Sequence, residues 1–101
     1  MPKGYWIVHV DVRDPEAYQR YVKANAAAFA KFRGRFLVRG GSHVVKAGTA
    51  RERNVVIEFA DYATALACHE SEEYREAAKL RDAASVADLV IVEGYDGAQP
   101  S

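Results

Sequence analysis

The stretch GYWIVHVDVRDPEAYQRYV, residues 4 to 22, decides the fold. Residues 4–12 are dense in aromatic and β-branched side chains, which predicts a strand. Asp14-Pro15 follows. Aspartate is a good helix N-cap, and proline suits the first helical position, where its missing N–H costs nothing. From there Tyr18, Tyr21, Val22, Ala28, Phe29 and Phe32 recur three and four apart. That is the period of one helix face, so a helix is expected from about Pro15 to Phe32, with Gly34 as its stop.

Working outward, residues 35–46 read as extended chain, interrupted at Gly40-Gly41, where a bulge or bend is expected. Residues 47–50 suit a hairpin tip, and RNVVIEF, residues 53–59, makes a third strand. Asp61 caps a helix to about His69, and Ser71 caps another to about Ala84. DLVIVEGY, residues 88–95, makes a fourth strand, and 96–101 is a small, polar, loose tail. The order is βαββαβ, with the second helix in two pieces. This describes one domain over residues 1–101: an α+β ferredoxin-like sandwich. Its four-stranded antiparallel sheet has the order 4-1-3-2, with the helices on one face.

The chain of 101 residues suits a single core. Lys plus Arg equals Asp plus Glu at 14 each, with no basic stripe, so a nucleic-acid partner is not expected. No apolar run approaches the ~20 residues of a membrane helix. Cys68 is the one cysteine, and Met1-Pro2-Lys3-Gly4 leads directly into a strand, so a reducing, cytoplasmic setting is expected. A neutral chain is also prone to self-association.

Strand side chains alternate, so two sheet faces can be read separately. One carries Trp6, Val8, Val10, Phe36, Val38, Val55, Ile57, Phe59, Val90 and Val92, the floor for the helices. The other carries Tyr5, Ile7, His9, Asp11, Leu37, Arg39, Val56, Glu58, Leu89, Ile91 and Glu93. On this reading Arg39, the charge inside FLVRGG (residues 36–41), belongs to the second face, where Glu58 and Glu93 flank His9. So many apolar groups on a second face ask for a cover, and the expected cover is a second copy of the chain.

GYWIVHVDVRDPEAYQRYVKANAAAF, KFRGRFLVRGG, RNVVIEF and ADLVIVEGYDG together resemble the DUF1330 family of small bacterial proteins, from Gly4 to Gly97. The resemblance implies the dimeric α+β barrel superfamily, in which two ferredoxin-like protomers put their sheets face to face around an enclosed space. It implies no particular activity, since relatives on that fold include cofactor-independent monooxygenases, isomerases, haem-degrading enzymes and binding proteins.

Within that space His9 and Glu58 are candidate proton-moving groups, weighed against a structural imidazole and a plain ion-pair partner. Arg39 is a candidate anion contact, since its fork fits planar anions; the bland reading is an ion pair with Glu58. Gly40 can let a ligand approach the backbone or simply bend the strand. Asn25 sits on the apolar stripe of the first helix, where its amide must find partners. It either braces a neighbouring loop or reaches into the site. Tyr5, Glu93 and Arg81 complete the candidate binding set. No HExxH, CxxC or same-face histidine pair occurs, and Cys68-His69-Glu70 would point apart on a helix, so no metal and no cofactor is expected. Three functions fit: a small enzyme such as a cofactor-independent oxygenase or isomerase acting on a partly apolar organic acid or aromatic, a non-catalytic binding protein, or a structural homodimer.

Overall fold

The structure, a computed structural model, describes residues 2–101. Strand β1 (Gly4–Val12) runs through the middle of the sheet. The chain continues through α1 (Pro15–Lys31), β2 (Arg35–Arg39), β3 (Arg53–Phe59), α2 (Tyr62–Glu70), α3 (Glu72–Ala84) and β4 (Ser85–Glu93). The sheet order is β2-β3-β1-β4 and every pairing is antiparallel, as the element order predicts. Among the described residues no helix is long and apolar enough to cross a membrane.

Helix starts obey the local chemistry. The Asp14 carboxylate accepts from the Ala17 N–H at 3.1 Å, with Pro15 in the first turn. Asp61 accepts from the Thr64 N–H, and the Ser71 hydroxyl accepts from the Tyr74 N–H at 3.2 Å. Ser71 ends α2 and caps α3, so the break between the helices lies where its hydroxyl is most useful.

Trp6 is fully buried at the centre of the core. Its ring meets Tyr74 at 4.7 Å, Phe29 at 5.2 Å and Phe59 at 5.6 Å, while its N–H donates to the Ala65 carbonyl at 2.8 Å. Edge-on aromatic packing and one satisfied polar handle explain why an indole can be buried completely.

Two strands are out of phase with the alternation expected of them. In β4, Leu89 pairs with Val8 and Ile91 with Trp6, so these two face the helices. Val90 and Val92 face outward, 55% and 41% exposed. Glu93 pairs with Gly4 at the end of the sheet, away from His9. The run LVIV is apolar in both phases, so alternation alone could not orient it. In β2 the register shifts between Phe36 and Val38, and the bulge falls at Leu37 rather than at the glycines. One extra residue sends the side chains beyond it to the opposite face. Val38 pairs with Val56 on the open face, and Arg39 pairs with Val55 on the helix side. Arg39 therefore does not join His9 or Glu58. The extended chain stops at Arg39 instead of running to residue 46. Gly40 and Gly41 come next with φ of 73° and 86°, left-handed values that favour glycine.

Candidate functional site

The flipped Arg39 arrives at the rim of a cavity between α1 and the sheet. Trp6, Val8, Val10, Val55 and Ile57 form its floor, Phe36 and Arg39 its edge. Tyr18, Tyr21, Val22, Asn25 and Phe29 of α1 form the roof, and Arg53 and Arg81 complete the wall. The innermost space is about 20 Å³, room for about one water, within a concavity of about 380 Å³ that opens to solvent.

Three guanidinium groups border this cavity, and its described lining holds no carboxylate and no imidazole. Arg39 is exposed and lies over the Phe36 ring at 4.0 Å. Arg53 lies 5.8 Å from the Tyr18 ring centre and fills the space where a side chain at residue 40 would stand. A Cβ on Gly40 would meet its Nη1 at 2.9 Å, so Gly40 supplies both a left-handed turn and room for the guanidinium. Among the described residues neither Arg39 nor Arg53 forms a salt bridge. Arg81 donates to the Tyr74 hydroxyl at 2.9 Å and pairs with the exposed Asp82 at 3.1 Å.

The hydroxyls form a chain. Arginine only donates, so the Tyr74 oxygen accepts from Arg81, and Tyr74 meets the Tyr21 hydroxyl at 2.8 Å. When Tyr74 donates its O–H toward Tyr21, the Tyr21 O–H is left to donate into the cavity. Burial pushes the Tyr74 phenol far above its ordinary range, with Tyr21 adding to the effect and Arg81 only partly offsetting it. Burial also raises Tyr18. Both stay phenols at neutral pH, so they serve as donors and not as bases.

Two polar atoms of this wall lack protein partners among the described residues. Asn25, 4% exposed, leaves its Oδ1 unpaired, and Arg53 leaves its Nε unpaired. Such atoms are rare in folded proteins, because each forfeits its interaction with water for nothing. Asn25 lies on the helix stripe as its spacing predicts, yet its side-chain oxygen braces no neighbouring loop.

The open face of the sheet is organised differently. Val38, Val56, Ile7 and Val90 pair in one row across all four strands. Tyr5 and Glu58 lie on one side of this row, His9, Asn54 and Asp88 on the other. His9 and Glu58 are thus not brought together. His9 Nδ1 lies 2.9 Å from Asn54 Oδ1, which only accepts, so Nδ1 carries the proton. Glu58 instead accepts from the Tyr5 hydroxyl at 3.1 Å and has Arg35, not Arg39, at 3.9 Å. That bond raises the Tyr5 phenol, since an ionised Tyr5 would lose it and face the carboxylate. Beyond His9 a wide groove is lined by Asp11, Thr49, Ala50, Arg51 and Asp88. Arg51 bridges Asp11 and Asp88 at 2.8 Å each, tying the loop after β2 to the sheet. The Glu52 backbone N–H, with Arg51 second, holds the Asp11 carboxyl below its usual range. The arginine of this groove is therefore already paired.

Of the residues singled out from sequence, the structure gathers Asn25, Arg39 and Arg81 at one cavity, with Gly40 packed on the Arg53 guanidinium. It leaves His9, Glu58, Tyr5 and Glu93 elsewhere. Sequence reasoning missed Arg53, Tyr74 and the polar use of Tyr18 and Tyr21. The available signal was three hydrogen-bonding residues, Tyr18, Tyr21 and Asn25, on one otherwise apolar stripe.

An antiparallel four-stranded sheet with helices on one face defines a ferredoxin-like α+β protein, of the kind seen in dimeric α+β barrels. The chain belongs to the DUF1330 family, a domain of unknown function, which matches residues 3–95. Among solved structures it is similar to RPA0582, a protein of unknown function from Rhodopseudomonas palustris, with a TM-score of 0.76 and 19% identity over 95% of this chain and 85% of that one. It is also similar to SnoaB, a cofactor-independent oxygenase from Streptomyces nogalater, with a TM-score of 0.63 and 14% identity over 99% and 97%. A dimeric protein of unknown function and ferredoxin-like fold from Bacteroides fragilis gives 0.53 and 17% over 90% and 95%. None of the curated proteins compared matches the chain. At these identities the likeness concerns the fold.

Proposed function

We propose that the protein binds a small, partly apolar organic anion in the cavity between α1 and the sheet. The observation that carries this reading is a charge imbalance: Arg39 and Arg53, neither in a salt bridge among the described residues, border an aromatic cavity whose described lining holds no carboxylate. A planar acid would supply the missing charge to the guanidinium forks and lay its ring against Phe36 and Tyr18. A single ring exceeds the resting space, so it enters by displacing the exposed Arg39 side chain from Phe36. That contact is worth only about 0.5–1 kcal/mol at an exposed site.

The lining offers donors and no group that takes up a proton near neutral pH. A ligand would therefore bind as its own anion, and any turnover would start from that anion. Cofactor-independent oxygenation, the activity of the structurally similar SnoaB, or isomerisation is the enzymatic form of this reading. Sequestration with release of the unchanged ligand is the non-catalytic form. A cytoplasmic setting and no nucleic-acid partner belong to the same reading.

Trp6 is the sole tryptophan and lines the cavity, so its fluorescence reports occupancy. Titration with benzoate should give a saturable change that weakens at least tenfold in Arg53→Met. A flat response across single-ring carboxylates and phenolates would remove the anion site. Oxygen uptake and the recovered ligand mass then separate catalysis from sequestration.

A second reading concerns assembly. The Val38–Val56–Ile7–Val90 row, with Val92 beside it, is an aliphatic band on the sheet face opposite the helices, and among the described residues Val38, Val90 and Val92 stay exposed there. A second copy packed sheet to sheet would bury it, and the similar Bacteroides fragilis protein is dimeric.

A further inference from the structure

The two unpartnered atoms allow the ligand class to be narrowed. Asn25 Oδ1 can only accept a hydrogen bond, and Arg53 Nε can only donate one. A ligand that satisfies both carries a donor for the first and an anionic oxygen for the second. Arg53 stands beside Tyr18, and Asn25 lies two turns further along α1, about 10 Å of helix axis. Arg39 is exposed at the rim and Arg53 stands behind it, across Gly40, with its Nε buried; Asn25 is 4% exposed. Between them the walls are aromatic and aliphatic.

We propose that the site selects a hydroxylated aromatic acid, its carboxylate held at the rim by Arg53 and Arg39 and its hydroxyl, at the far end of a single ring, donating to Asn25 Oδ1. This rests on the anion site proposed above and adds the second polar contact. Each acid oxygen finds a cation, and the ring lies against Val8, Val55 and Tyr21 once Arg39 has moved aside and the resting space of about 20 Å³ has widened. A site built around a buried acceptor discriminates strongly, because a ligand lacking the donor leaves that acceptor unpaired in a dry place. Asn25 is therefore a selectivity residue, and Arg53 an affinity residue.

The test compares 4-hydroxybenzoate, 2-hydroxybenzoate and benzoate by Trp6 fluorescence and calorimetry on the full chain. The expected result is binding of 4-hydroxybenzoate at least tenfold tighter than either of the others. Asn25→Leu, close in size but without the acceptor, should still bind benzoate and lose the tenfold preference. Arg53→Met should weaken all three acids. Equal binding of benzoate and 4-hydroxybenzoate would mean that Asn25 is satisfied by a buried water only; the proposal then falls and the anion site stands. A preference that survives in Asn25→Leu overturns it equally. No binding of any of the three acids removes both readings. The wild-type ranking needs no variant, so a poorly folding Asn25→Leu would not shield the proposal.

Discussion

The two faces of this one sheet treat charge in opposite ways. On the open face, the charges beside the aliphatic row are tied to neighbours. Arg51 holds Asp11 and Asp88, Arg35 approaches Glu58, and His9 meets Asn54. On the helix side, Arg39 and Arg53 border an aromatic cavity without a carboxylate, and Asn25 keeps an unpaired oxygen. The first pattern is what a surface prepared for another surface needs, since residual charge there would oppose association. The second is what a small-molecule site needs, since groups already satisfied would have nothing to offer a ligand.

The difference can be tested by injuring each face in turn. Trp6→Ala should be the most damaging change, costing about 3–5 kcal/mol, because it removes the group on which Phe29, Phe59 and Tyr74 all pack. Urea unfolding measures it, and a cost under about 1 kcal/mol would break the picture of a core centred on β1.

Tyr74→Phe comes next, at about 1–3 kcal/mol, because it strips the Arg81 donor and the Tyr21 hydroxyl of their shared partner while leaving the ring. The same unfolding assay reads it.

Ile7→Asp strikes the centre of the open-face row. The protomer should lose roughly 1 kcal/mol or less, since an exposed-face position lies outside the core. On the assembly reading proposed above, light scattering behind size exclusion should find a dimer for the wild type and a monomer for this variant. A wild-type monomer would sink the assembly reading and leave the cavity untouched.

The smallest effect is the pH response of His69, packed 5.5 Å from Trp6 and 5.4 Å from Tyr74. Burial first, and then the Arg81 charge, lower its pKa, with Glu70 opposing. The folded chain therefore holds this proton less tightly than the unfolded chain, whose histidine titrates near 6.5. His69 contributes stability in full above about pH 6.5, and that contribution fades as pH falls toward the lowered value. Melting temperature should decline between about pH 7 and 5, and the decline should be shallower in His69→Gln.

Much of the architecture was legible in residues 4 to 22 and in the caps. The Trp6/Val8/Val10 alternation, the Asp14-Pro15 start and the Ser71 break needed only neighbours within a few positions, and local chemistry is enough to place such features. Part of the site was legible too, because Asn25 on an apolar stripe is visible as an anomaly. Its company was not. LVIV presents an apolar face whichever way it is turned, so only pairing with β1 put Leu89 and Ile91 inside and Val90 and Val92 outside. A bulge is a property of two strands and not of one, so only pairing with β3 could place it at Leu37 and send Arg39 to the cavity with Arg53. Residue types and local spacing determined the elements and their order. Register, which depends on partners distant in the chain, decided which face each charge would serve.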